Sequence, residues 1–160
     1  MWAGTGNRKR RTSRICLNWE SQDMTDIFTP AKRSEVMSRV RGRDTGPEMA
    51  VRRLVYALGY RYRLHVRSLP GRPDLVFPSR WRIIFVHGCF WHRHGCRRGQ
   101  SIPESNQRFW QRKLNANRNR DSRQRRQLRR QGWRVLVIWE CQVRNSAFVR
   151  RRISAFLGPA

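Results

Sequence analysis

A short apolar run that ends in a knot of potential ligands constrains this chain more than any other feature. In "WRIIFVHGCFWHRHGC" the side chains His87, Cys89, His92, His94 and Cys96 fall within ten residues. A lone histidine is more often structural. Three imidazoles and two thiols at this density point to a metal site, a catalytic site or both. The preceding "WRIIFV" reads as a buried strand, so the fold has to deliver this knot from the end of a core strand.

The rest of the chain reads as elements around that strand. "DLVF" and "WRVLVIWE" are two more short buried strands. "YRYRLHV" alternates, with Tyr60, Tyr62, Leu64 and Val66 on one face and Arg61, Arg63, His65 and Arg67 on the other, the pattern of a half-buried strand. "LPGRP" is a turn. In "RDTGPEMAVRRLVYALGY", Asp44 and Thr45 can cap a helix, Pro47 suits its first turn and Gly59 its exit. Met49, Val51, Leu54, Val55 and Leu58 give that helix an apolar side. Thr29 or Ser34 can cap a shorter helix from Arg33 to Arg41. "SNQRFWQRKLNANRNRDSRQRRQLRRQ" is a long polar helix stopped by Gly132, and "SAFVRRRISAFL" is an amphipathic one using Phe148, Ile153, Phe156 and Leu157. The order helix, helix, strand, strand, strand, helix, strand, helix predicts an α/β fold, a mixed sheet flanked by helices.

At 160 residues the chain suits one domain with a real core. Residues 1–26 read as a basic, poorly ordered arm, with Cys16 left without a role, and 27–160 as the folded domain. Met24 opens a stretch that reads like a natural beginning, so the biological start is expected there.

Lys and Arg total 36 against 10 acidic residues, a formal net charge of +26. That charge calls for a polyanionic partner, and nucleic acid is the first candidate, because cationic side chains release its counterions. Only three lysines occur, Lys9, Lys32 and Lys113, so a codon bias toward arginine contributes. No stretch reaches the ~18 apolar residues of a membrane span, and no secretory h-region follows the basic start. With few cysteines interleaved with histidine, metal binding or free thiols are expected rather than disulfides. The expected setting is cytoplasmic, in association with the nucleoid.

In so basic a chain, carboxylates at core positions stand out. Asp74 begins the "DLVF" strand, where an unpaired charge is costly. Arg72 or Arg82 could serve as a plain ion-pair partner. The alternative is a nuclease in which Asp74 holds Mg²⁺, a cation that prefers oxygen ligands. Many such nucleases carry an acidic residue and a lysine two positions apart on the next strand. Here the equivalent pair is Phe85 and His87, so histidine stands in for lysine. Of His87 and His92, one can act as general base toward water and the other can polarise the scissile phosphate or leaving group. Glu48, early in its helix, reads on its own as a carboxylate favoured by the helix dipole.

His94, Cys96, Cys141 and Asp121 make a plausible closed zinc set, with His92 or Cys89 as substitutes for Asp121 and Cys141 as a possible inert thiol. Phe90 and Trp91 sit within the histidine loop and Trp110 on the polar helix. Trp81, Trp133 and Trp139 lie on strands and are the better core candidates. Aromatics exposed beside a nuclease site can wedge between base steps, most cheaply at a mismatch. Met37 could intercalate in the same way, or pack in the core.

"RSEVMSRVRGRDTGPE", "LPGRPDLVF", "FVHGCFWHRHGC" and "GWRVLVIWEC" resemble the very short patch repair (Vsr) endonucleases in order and spacing, from about Thr29 to Arg144. The resemblance implies a restriction-endonuclease-like fold with structural Zn²⁺ and Mg²⁺-dependent nicking of one strand, 5′ to the thymine of a T·G mismatch. Such mismatches arise by deamination of 5-methylcytosine, so a cognate cytosine methyltransferase is implied, with mismatch-repair proteins as further partners and a monomeric enzyme. It further implies Asp74 and the Val86 carbonyl as Mg²⁺ ligands, and His87 and His92 as catalytic histidines. Glu48 would reach the site through water. His94, Cys96, Asp121 and Cys141 would be the zinc ligands. Phe90, Trp91 and Trp110 would form the aromatic wedge, and Met37 would intercalate from the opposite groove. Valine at position 86, where the family often has threonine, is tolerated by a backbone contact. The departures are the arm before Met24 and the arginine content.

Overall fold

The computed structural model describes Lys32, Glu35 and residues 42–159. The arm, Cys16, Met24, Met37 and most of the expected first helix lie outside the described residues.

Helix α1 (Gly46–Ala57) begins where the capping pattern placed it, with Thr45 at the N-cap and proline in the first turn. Its buried residues, Glu48, Val51, Arg52 and Val55, follow the i, i+3, i+4, i+7 stripe of one helix face. Gly59 follows at φ 86, a left-handed turn that glycine enters without a Cβ penalty.

Three strands form the sheet: β1 (Leu75–Phe77), β2 (Arg82–His87) and β3 (Arg134–Trp139), in the order β1-β2-β3. The first pair is antiparallel, closed by a 3₁₀ turn over Pro78–Arg80. The second is parallel, Ile83 facing Val135 and His87 facing Trp139. A parallel pair needs a crossover, supplied by α2 (Arg97–Gln100) and the long α3 (Gln107–Arg130). The chain closes with α4 (Glu140–Val143) and α5 (Ser146–Leu157), the latter capped by the Asn145 side chain on the Phe148 N–H.

Period-two alternation divides the core. Leu75, Phe77, Ile84, Val86 and Ile138 join Val51, Val55, Val149, Ile153 and Leu157 on the α1–α5 face. Val76, Ile83 and Phe85 join Leu128 of α3 on the other. His87 continues the Ile83–Phe85 series, so it emerges at the end of β2 on the α3 side.

Two expectations are corrected. The stretch 60–66 is not a strand: Arg63 makes one antiparallel bridge to Val76, and His65 at φ 54 ends any extension. Trp81 is not a core residue. It takes a left-handed conformation at φ 52 and is 57% exposed, resting on Trp133 with ring centroids 4.9 Å apart. No helix among the described residues is long and apolar enough to cross a membrane.

Candidate active site and the neighbouring cysteine–histidine cluster

The histidine loop begins where β2 ends, and its residues divide between two sites. His87 and His92 go to one and Cys89, His94 and Cys96 to the other.

The first site is a cleft of about 470 Å³ whose lining includes Glu48, Asp74, Val86, His87, His92 and Asp121. Arg43, Arg52, Arg67, Arg72 and Arg125 also line it, so a few acid–base groups sit within a cationic rim. Asp74 Oδ2 accepts from the Val86 N–H at 2.7 Å. Pairing with β1 stops at Leu75–Ile84, so Val86 lies beyond the ladder and its N–H turns to the aspartate instead. The N–H and C=O of one strand residue project to the same side, so the Val86 carbonyl faces the Asp74 side of β2 as well. Burial pushes the Asp74 carboxyl up to about 6, the Val86 bond partly offsetting it and the nearby Glu48 charge adding to it. Neither Arg72 nor Arg82 pairs with it: among the described residues Asp74 forms no ion pair. A desolvated carboxylate beside a second acid and a strand-end carbonyl is a donor set that suits a hard divalent cation.

Glu48 also clasps the turn before α1. Its Oε1 accepts from the Thr45 hydroxyl at 2.9 Å, and Oε2 accepts from the Asp44 N–H at 2.9 Å and Arg52 Nη2 at 3.2 Å. Arg52, buried, carries its other amino group to Asp44. The helix-start reading and a place in the cleft therefore hold together.

His87 and His92 stack with centroids 3.9 Å apart and an interplanar angle of 11°. His92 Nδ1 lies 2.5 Å from Asp121 Oδ2. Asp121 was expected at the zinc; the structure places it here instead. Burial opposes its charge, but the His92 hydrogen bond and charge outweigh that and lower its pKa. An ionised Asp121 accepts the hydrogen bond from Nδ1–H, so in the neutral His92 ring the lone pair sits on Nε2. Burial pushes His87 down to about 3, with the charge of His92 acting the same way, so it is neutral at physiological pH. The lone pairs of two stacked rings run in parallel planes and do not converge on one ion. This group therefore suits proton handling better than metal binding.

The second site gathers Cys89, His94, Cys96 and Cys141, whose ligand atoms all lie within 4.8 Å of one another. His94 Nδ1 is 3.8 Å from Cys89 Sγ and 3.5 Å from Cys141 Sγ. Bonds of about 2.0–2.3 Å to a tetrahedral ion give edges of about 3.5–3.8 Å, so these donors fit zinc. Cys89, weighed as a substitute, thus takes the place assigned to Asp121. The site is built tightly. Gly99 packs so close that a Cβ would come within 2.1 Å of the His94 carbonyl oxygen. Glu140 accepts from the Cys89 N–H at 3.2 Å and from Arg98 at 3.0 Å.

Phe90, Trp91 and Trp110 form one aromatic group beside the loop, with centroids 5.0–6.2 Å apart. Lys113 Nζ lies 5.4–5.8 Å from the rings of Trp91, Trp110 and the exposed Phe109. Phe90 and Trp91 are half-buried and Trp110 is buried. Trp91 also lines a second cleft against Glu48 and His92.

The sequence model of the family described as "DNA mismatch endonuclease Vsr" matches residues 25–98. The chain is 48% identical over 137 residues to "Type II nicking enzyme V.XorIIP" of Xanthomonas oryzae pv. oryzae, covering 86% of this chain and 100% of that protein. The chain belongs to the Vsr family. It is also 41% identical over 131 residues to "Type II nicking enzyme V.NmeAIP" of Neisseria meningitidis, covering 82% of this chain and 93% of that protein. Against "DNA mismatch endonuclease Vsr" of Escherichia coli it is 40% identical over 122 residues, covering 76% and 78%.

For this Vsr-family chain, sequence reasoning missed the His92–Asp121 pair and the contacts that Arg52 and Glu140 make around the two sites. A signal for Asp121 was present. It lies seven residues from both Leu114 and Leu128, the buried stripe of α3, and a carboxylate on that stripe needs an inward partner.

Proposed function

We propose that this chain is a Mg²⁺-dependent DNA endonuclease that nicks one strand 5′ to the thymine of a T·G mismatch and so starts very short patch repair. The observation that carries the reading is the meeting of Asp74, the stacked His87–His92 pair and Asp121 in one arginine-rimmed cleft. The names of the relatives, nicking enzymes and a DNA mismatch endonuclease, support the same chemistry.

Asp74 and the Val86 carbonyl would hold Mg²⁺, which supplies charge stabilisation at the scissile phosphate. His92, its tautomer set by Asp121, takes the proton from the attacking water at Nε2. Neutral His87 donates a hydrogen bond to a phosphate oxygen or the leaving group. The rim arginines grip the flanking phosphates. Phe90, Trp91 and Trp110 wedge the mismatched step, with Met37 entering from the opposite groove. The cysteine–histidine cluster holds a structural Zn²⁺. The enzyme acts as a monomer with one site, on a restriction-endonuclease-like core, in the cytoplasm beside a cytosine methyltransferase and mismatch-repair proteins.

Three duplexes differing at one base pair, T·G, T·A and C·G, test the reading with Mg²⁺ present. Nicking of T·G alone is the expected result. Equal cutting of all three would make the chain a nuclease without mismatch selection, and no cutting would leave a DNA-binding protein.

A further inference from the structure

Trp139 belongs to neither ligand group and touches both. Its indole stacks on the His94 ring, centroids 4.4 Å apart at 27°, and meets the His87 ring at 5.4 Å and 76°. The ladder dictates this placement. Trp139 is the register partner of His87 in the parallel β2–β3 pair, so the two side chains leave the sheet side by side on one face. The backbone there is pinned as β3 ends. The Trp139 N–H donates to Gln142 Oε1 at 3.1 Å, and the same oxygen accepts from Arg152 at 2.7 Å.

His87 needs such a neighbour. Its Nδ1 is buried and has no hydrogen-bond partner among the described residues, so no polar contact at that atom fixes the ring. Three rings hold it: Phe85 at 5.6 Å, His92 at 3.9 Å and Trp139 at 5.4 Å. Phe85 and His87 belong to one strand and His92 is on a loop. Trp139 alone among the three is anchored on the neighbouring strand and packed against the cysteine–histidine cluster. The contacts run without a gap from His94 through Trp139 and His87 to His92, and end at Asp121.

We propose that Trp139 is a positioning residue. Seated between His94 and His87, it fixes the orientation of the His87 ring and thereby the His87–His92 stack, so that order in the cysteine–histidine cluster becomes order in the cleft. Its effect on rate rests on the nuclease reading, and its effect on ring geometry does not. A misplacement of about 1 Å at a reacting group can cost ~100-fold, which sets the scale expected here.

The test compares wild type, Trp139→Leu and Trp139→Phe in the full chain. Zinc content, affinity for a T·G duplex, single-turnover nicking and the imidazole NMR signals of His87 and His92 are measured. Trp139→Leu is expected to keep one zinc per chain and duplex affinity within about threefold, to lose about 10–100-fold in nicking rate, and to displace the His87 and His92 signals. Trp139→Phe, which restores an aromatic face, should recover most of the rate and bring the signals back toward wild type. Wild-type signal positions in the Leu variant would overturn the proposal, and so would a Phe variant as impaired as the Leu variant. In wild type itself, nuclear Overhauser contacts between the Trp139 indole and His87 imidazole protons are required. Their absence would overturn the proposal even if neither variant folds. Should wild type fail to nick T·G, the nuclease reading falls, and the imidazole signals still decide the role of Trp139.

Discussion

The cleft and the cysteine–histidine cluster draw on the same ten-residue loop, yet they are opposites in how their polar groups are satisfied. In the cluster His94 Nδ1 lies 3.8 and 3.5 Å from the Cys89 and Cys141 sulfurs, and the backbone around it is clamped by Glu140 and by the tight packing of Gly99 on His94. In the cleft, among the described residues, Asp74 is desolvated without an ion pair and His87 Nδ1 has no hydrogen-bond partner, and the opening is rimmed with arginine. A closed set of soft ligands stabilises a fold. Buried acid–base groups with perturbed pKa values and free valences are what a reacting phosphate would use. Nearby positions of one loop can therefore serve structure and chemistry separately, because His87 and His92 turn to the cleft while Cys89, His94 and Cys96 turn to the cluster.

The largest effect that would sharpen this contrast is expected from His92→Ala. If His92 is the base, as proposed, its loss should lower single-turnover nicking of a T·G duplex by about 10³–10⁴-fold. Zinc content should be unchanged, and loss of zinc would break the division. Cys89→Ala should do the reverse: it should strip the metal and lower unfolding free energy by about 3–5 kcal/mol, a fraction of the ~10–16 kcal/mol a structural zinc site can supply. Denaturant unfolding with metal analysis checks both.

Asp74→Asn separates stability from activity. The folded pKa of Asp74 is raised from 3.8 to about 6, so the fold favours its neutral form. The resulting penalty is absent below the unfolded value, grows between about pH 4 and 6, and is complete above that window. Without added Mg²⁺ the Asn variant should be more stable by up to about 3 kcal/mol at pH 8, at about 1.4 kcal/mol per pKa unit. The advantage should shrink as pH falls through 6, while nicking is lost. Wild-type nicking at limiting Mg²⁺ should rise with pH through about 6. A flat stability difference across that window would contradict the account. The smallest effect is expected from Glu140→Gln, which weakens the bond to the Cys89 N–H and the Arg98 pair. It should cost about 1 kcal/mol in denaturant unfolding, with zinc retained.

Most of the elements were legible because their apolar periods were unbroken. The buried run of β2, the capped stripe of α1 and the amphipathic α5 all form where the pattern placed them. The stretch 60–66 failed because alternation records which residues would face inward and says nothing of a partner strand; only Arg63 finds one. Trp81 misled because hydrophobicity does not report a left-handed backbone. At the site, the residues of both groups were legible as a set, but their apportioning was not. Distance along the loop cannot say which way a side chain turns, so Cys89 and Asp121 were interchangeable until α3 was laid across the sheet. The seven-residue spacing of Leu114, Asp121 and Leu128 marked an inward carboxylate without naming His92 as its partner. Trp139 looked like core because its contacts depend on the β2–β3 register, which no local pattern encodes.

The division of labour is tested most directly by the zinc content of purified Asp121→Asn. If Asp121 serves His92 in the cleft, the variant is expected to bind as much zinc as wild type, one per chain on the proposed reading. If the variant is purified without zinc while Cys89→Ala keeps it, the aspartate is a ligand and the assignment of the two sites is wrong.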